Sequence, residues 1–100
     1  MEGGTKMGQS KHDKISKNLA IKFKTEYNEG KGPDLKPSGK IIEVVTHVGD
    51  LYSSIDQLKG FRKPRYIATT PKLVSKAKEV TKNTKIGVMS SGGSIRKRAR

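Results

Sequence analysis

Lys40-Ile41-Ile42-Glu43-Val44-Val45-Thr46-His47-Val48 is the stretch whose reading decides the fold. It is mostly β-branched and follows the turn formers Lys36-Pro37-Ser38-Gly39, so it is predicted to be a strand. Alternation puts Ile42, Val44, Thr46 and Val48 on one face and Ile41, Glu43, Val45 and His47 on the other. Both faces are apolar enough to be covered, which suits a strand inside an α/β layer structure.

Downstream, Gly49-Asp50 opens a helix with Asp50 as its N-cap. Leu51, Tyr52, Ile55 and Leu58 follow helical spacing, and Gly60 stops it. Arg65 to Thr69 reads as a second strand. Thr70-Pro71 then joins an N-cap to a proline at the first helical position, starting a helix to about Asn83 that buries Leu73, Val74, Ala77 and Val80. Ile86 to Met89 is a third strand, and strand, helix and strand in that order call for parallel pairing through right-handed crossovers.

Upstream, Ile15, Leu19 and Phe23 recur every fourth residue, marking an amphipathic helix from His12 to Phe23 with lysines on its other faces. Asp34-Leu35 is a short strand between two turn clusters, and Tyr27 is placed on an edge strand that hairpins into it. The expected architecture is a small mixed sheet of four to five strands flanked by helices. A flexible basic start at 1–11 and a flexible basic arm at 91–100 bracket a single domain at 12–90.

Composition removes several function classes. The 100 residues contain no cysteine and two histidines, which excludes disulfide scaffolds, cysteine nucleophiles and Cys-bearing zinc sites. The longest near-continuous apolar run, Ile41 to Val48, is far short of the ~20 residues a membrane helix needs. No signal-peptide pattern opens the chain, so a cytoplasmic protein is expected. No phosphate-binding loop motif is present, and Tyr27, Tyr52 and Tyr66 are too scattered in sequence for a base-stacking platform.

Charge carries the strongest compositional signal. Lys and Arg total 22 against nine acids, a net charge of +13, and nucleic acid is the polyanion that such a balance fits best. Residues 61–100 hold twelve cations and one acid, with Arg62, Lys63 and Arg65 before a strand and Arg96, Lys97, Arg98 and Arg100 near the chain end. These seven are the candidate backbone-binding residues. From Ile41 to Leu58 there is no Lys or Arg, while Glu43, Asp50 and Asp56 all fall there. That acidic island reads either as a divalent-cation site or as two acids near a helix start beside a solvated strand residue.

Asp34 and Glu43 are nine residues apart across a Pro-Ser-Gly turn, a spacing that sets two carboxylates side by side on a hairpin. Mg²⁺ prefers oxygen ligands of this kind. Gly32-Pro33-Asp34, then Ile41-Ile42-Glu43-Val44-Val45, then a helix carrying Asp56-Gln57-Leu58-Lys59, resembles the restriction-endonuclease-like PD-(D/E)xK nuclease superfamily, which includes archaeal Holliday-junction resolvases. The resemblance covers roughly residues 12–90 and implies a metal-dependent nuclease acting on DNA. It implies Asp34 and Glu43 as ligands of Mg²⁺ or Mn²⁺, Glu26 as a further acidic ligand, and Gln57 on the helix flanking the site.

One position departs from that pattern. The superfamily's lysine, two residues after the second acid, falls on Val45. Lys59 is the first candidate to replace it, with Lys36, Lys40 and His47 behind. Lys59 also reads simply as a favourable cation at a helix C-terminus. The alternatives are a non-catalytic DNA- or RNA-binding protein on the same fold and a basic ribonucleoprotein component. A homodimer is expected from the thin apolar content and from the paired active sites of branched-DNA nucleases.

Overall fold

The computed structural model describes residues 11–27, 34–37 and 39–99. Ile41–Val45 forms strand β1, Arg65–Thr69 forms β2 and Gly87–Ser90 forms β3. The three are parallel, with Ile42 opposite Tyr66 and Tyr66 opposite Gly87. Helix α1 spans Lys11–Lys22, α2 spans Leu51–Leu58 after a 3-10 turn at Val48–Asp50, and α3 spans Pro71–Val80. Strand β4, Ile95–Lys97, runs antiparallel to β3 and completes a four-stranded sheet ordered β1-β2-β3-β4.

The period of two in the strands sorts their side chains into two cores. Ile42, Val44, Tyr66, Ala68 and Met89 meet Ile15, Leu19 and Ala20 of α1. Ile41, Val45, Ile67 and Val88 meet Leu51, Ile55 and Leu58 of α2 and Ala77 of α3. The mixed α/β sheet with helices on both faces is therefore as the sequence required. Leu19, Ile42, Leu51, Leu58 and Ile67 are almost wholly buried, and each such side chain contributes roughly 1.5–3 kcal/mol of transfer free energy. Among the described residues, no helix is long and apolar enough to cross a membrane.

Several local readings need correction. Residues 91–99 are not a loose arm, because Gly93 takes a positive φ of 93° that allows a tight hairpin. Within that hairpin the Ser90 N–H donates to the Ser94 carbonyl at 2.8 Å, and the Gly93 N–H to the Ser90 carbonyl at 2.9 Å. The Lys22 ammonium donates to the Gly92 carbonyl at 2.9 Å, tying the hairpin to α1, and Ala99 packs on the α1 core. The domain thus reaches Ala99. At the other end Lys11 already belongs to α1, while 1–10 lie outside the described residues, as does Arg100.

Asp50 occupies the N-cap position of α2 with helical backbone angles and no side-chain cap bond, since the 3-10 turn before it already carries the chain into the helix. Tyr52 is 58% exposed, one residue round the helix from the buried Leu51. Helix α3 ends at Val80, where the Thr81 hydroxyl and N–H both donate to the Ala77 carbonyl, at 2.8 and 3.1 Å. The strand at Asp34-Leu35 is reduced to single antiparallel bridges, Leu35 to Ile42 and Leu35 to Tyr27.

Gly87 holds β4 close. A Cβ there would lie 2.6 Å from the Lys97 carbonyl oxygen, 2.6 Å from the Tyr66 ring and 2.7 Å from the Ala99 nitrogen. Gly87→Ala is expected to cost about 2 kcal/mol or more in urea unfolding. Gly49→Ala, where nothing lies within 4 Å, serves as the near-neutral control. Equal midpoints for the two variants would contradict the packing of β4 described here.

Candidate functional site

Leu35 and Ile42 exchange both main-chain hydrogen bonds, at 3.0 and 2.9 Å, so the preceding residue Asp34 stands opposite the following residue Glu43. The Asp34 N–H donates to Glu43 Oε1 at 3.2 Å, and the Val44 N–H donates to Asp34 Oδ2 at 2.8 Å. Each carboxylate is thus held by the main chain of the other's segment.

Burial pushes the Glu43 carboxyl up from its ordinary 4.5 to about 7, and the neighbouring Asp34 charge adds to the rise. The Asp34 N–H and the His12 ring act in the opposite direction without cancelling it.

Helix α1 and Tyr27 build the surround. His12 Nε2 lies 3.1 Å from Asp34 Oδ2, and His12 Nδ1 lies 3.2 Å from the Tyr27 hydroxyl. Tyr27 donates its proton to Asp13 Oδ1 at 2.8 Å. Burial, then the hydrogen bond and charge of Asp13, push the Tyr27 hydroxyl up to about 12, so it stays a donor. With that proton committed to Asp13, the tyrosine oxygen can accept from His12 Nδ1–H. A cavity of about 340 Å³ opens beside this cluster, lined by Lys11, His12, Thr46, His47 and Asp50.

Of the residues read from the sequence, Asp34 and Glu43 come together. Glu26 is exposed, and no hydrogen bond or ion pair among the described residues joins it to them. Gln57 and Lys59 are exposed at the end of α2, and the Lys59 ammonium stands 3.9 Å from Asp56 Oδ1. Val45 is buried in the core beneath α2 and α3. Lys40 lies over the Phe23 ring at 4.8 Å, and Lys36 is exposed. Among the described residues, no three His, Asp or Glu side chains gather as a ready-made metal site. Two carboxylates are what the cluster offers a cation.

The Arg65 guanidinium is half-buried and donates to the carbonyls of Leu58 and Phe61, holding the α2–β2 loop. Arg62, Lys63, Arg96 and Arg98 are exposed, and the Lys97 ammonium donates to the Ile86 carbonyl at 2.5 Å. The site residues missed from sequence are His12, Asp13 and Tyr27. His12 had a signal: it lies three and seven residues before Ile15 and Leu19, on the buried stripe of α1.

Comparison with protein-family models, with curated proteins and with solved structures returns no match.

The carboxylate pair makes stability depend on pH with a definite sign. In the fold Glu43 holds a proton up to about pH 7, whereas the unfolded chain releases it near 4.5, so folding takes up a proton between those values. The resulting stabilisation is complete below about 4.5 and is lost as pH rises through about 7. Glu43→Gln is expected to flatten the dependence of the urea midpoint on pH across this window. A variant whose midpoint tracks the wild-type curve in parallel would contradict the shifted carboxyl.

Proposed function

We propose that this chain is a metal-dependent nuclease, or a nuclease-like protein on the same fold, acting on DNA phosphodiester bonds with Asp34 and Glu43 as its Mg²⁺ or Mn²⁺ ligands. The carrying observation is the convergence of the two carboxyl groups on neighbouring segments into one hydrogen-bonded unit. Two carboxylates this close repel one another when both are ionised, and a bound cation offsets that repulsion. Mg²⁺ commonly takes one or two carboxylates and completes its shell with water and phosphate oxygens, so the donor set fits the ion.

A bound divalent cation would polarise the phosphodiester and lower the pKa of an attacking water. The chain's own residues supply the rest. His12 fixes the Asp34 carboxylate and is itself fixed by Tyr27, so the pair keeps its orientation without the ion. Val45 supplies no lysine head. Lys11, in the same cavity lining as His12, takes the place of Lys59 as the cation to test, with His47 opposite. Gln57 remains a residue of the exposed α2 surface.

The second reading, a DNA- or RNA-binding protein without catalysis, is favoured by the buried Val45 and by the absence, among the described residues, of a third acidic or histidine ligand. The net charge of +13 supports a nucleic-acid partner under either reading, DNA before RNA, with a ribonucleoprotein role as the remaining alternative. A cytoplasmic homodimer belongs to the same proposal.

Mg²⁺ titration followed by two-dimensional NMR, with a parallel cleavage assay on branched and linear DNA, tests it. Shifts centred on Asp34 and Glu43 together with cleavage are expected. Asp34→Asn or Glu43→Gln is expected to reduce cleavage on the order of 100-fold or more while leaving the circular dichroism unchanged. Cleavage unchanged in both variants would remove these residues from the chemistry. DNA binding without shifts or cleavage would favour the second reading.

A further inference from the structure

Three cavities border β4, and cations line all of them. A groove of about 290 Å³ between α3 and the β3–β4 hairpin holds Lys78 and Arg96 beside the hydroxyls of Ser75 and Ser90. A second cavity of about 460 Å³, over Tyr66, is lined by Arg96 and Arg98. A third, of about 590 Å³ beyond the end of α3, is lined by Lys82, Lys85, Lys97 and Arg98 with Thr84. No lining residue of the three is acidic. The one acid in residues 61–100, Glu79, stands 3.4 Å from Lys76 on the same helix.

We infer that the β4 edge is a folded clamp for a nucleic-acid backbone, separate from the carboxylate pair, with Lys78 and Arg96 in one groove and Lys82, Lys85 and Arg98 around it. The inference rests on the nucleic-acid partner proposed above and adds which cations grip it and where. Lys78, Lys82 and Lys85 join the set, and Arg65 leaves it.

Three features fix the clamp before any ligand arrives. The Ser90–Ser94 hairpin pins one end of β4, Lys97 is anchored on the Ile86 carbonyl, and the strand lies directly on Gly87. A loose arm would lose conformational freedom on binding; a paired strand has already lost it in folding, so more of each phosphate contact appears as affinity.

The sheet also sets the reach. β4 is three strands from β1, and at about 4.8 Å per spacing the clamp stands roughly 14 Å from Glu43 across the sheet. A B-form strand advances about 3.4 Å per phosphate, so this distance corresponds to about four phosphates. Val45 pairs with Thr69 and Thr69 with Ser90, so the parallel strands end level. The groove at Ser90 and the cavity beyond Val45 therefore lie at the same end of the sheet, and one continuous DNA segment can occupy both.

The test uses the full chain, a fluorescently labelled DNA duplex and anisotropy over a salt series. Lys78→Ala with Arg96→Ala removes two exposed cations without touching the core, and unchanged circular dichroism confirms folding. The double variant is expected to weaken binding and to reduce the log–log salt slope by up to about 2, near 0.9 per lost phosphate contact. Lys59→Ala, which removes an exposed cation outside the clamp, is expected to keep the wild-type slope. Wild-type affinity and slope in the double variant would overturn the clamp, and would leave the nuclease reading intact if Asp34→Asn still abolishes cleavage. Loss of binding in the double variant with no cleavage by any form would uphold the clamp and remove the nuclease. Tighter binding to vesicles of phosphatidylcholine and phosphatidylglycerol than to DNA at matched salt would also overturn it.

Discussion

The main-chain exchange between Leu35 and Ile42 places two carboxyl groups opposite one another at the edge of the sheet, against their mutual repulsion. Leu35 and Ile42 are both fully buried, so the fold cannot relieve that repulsion by letting the segments part. The cost is met by protonation, by the Val44 and Asp34 N–H groups, and by the His12 ring. Positive charge placed against the two carboxyl groups relieves their repulsion. The α1 core, the Tyr27 bridge and the β1 register all serve to hold it in place.

The rest of the charge is distributed in the opposite sense. Sheet and helices are covered by lysine and arginine, with twelve of the 22 cations in residues 61–100. The Arg65 guanidinium, half-buried, donates to two main-chain carbonyls. Lys78, Lys82, Lys85, Arg96 and Arg98 are exposed on α3, on β4 and on the segments beside them. The basic residues of β4 and the Asp34–Glu43 pair thus stand at opposite edges of one sheet.

Much of this was legible in the sequence. The β-branched run at Ile41–Val45, the Thr70-Pro71 helix start and the strand at Arg65–Thr69 read directly, because local propensity and burial agree there. The Asp34–Glu43 juxtaposition was legible from hairpin spacing. β4 was not: its residues are basic and follow a glycine-serine turn, and only the close approach allowed by Gly87 makes them a strand. Nor was the role of Arg65, since a guanidinium that caps carbonyls and one that meets phosphate look alike in sequence. Tyr27 reaches Asp13 across fourteen residues, a tertiary contact with no periodic signature.

The measurement that bears most directly on the account is a carboxyl-carbon NMR titration of Glu43, run with and without Mg²⁺. Glu43 is expected to ionise near 7 without the ion and at lower pH in its presence, as a bound cation favours the carboxylate. Titration of Glu43 in the ordinary carboxylate range, unmoved by Mg²⁺, would contradict it.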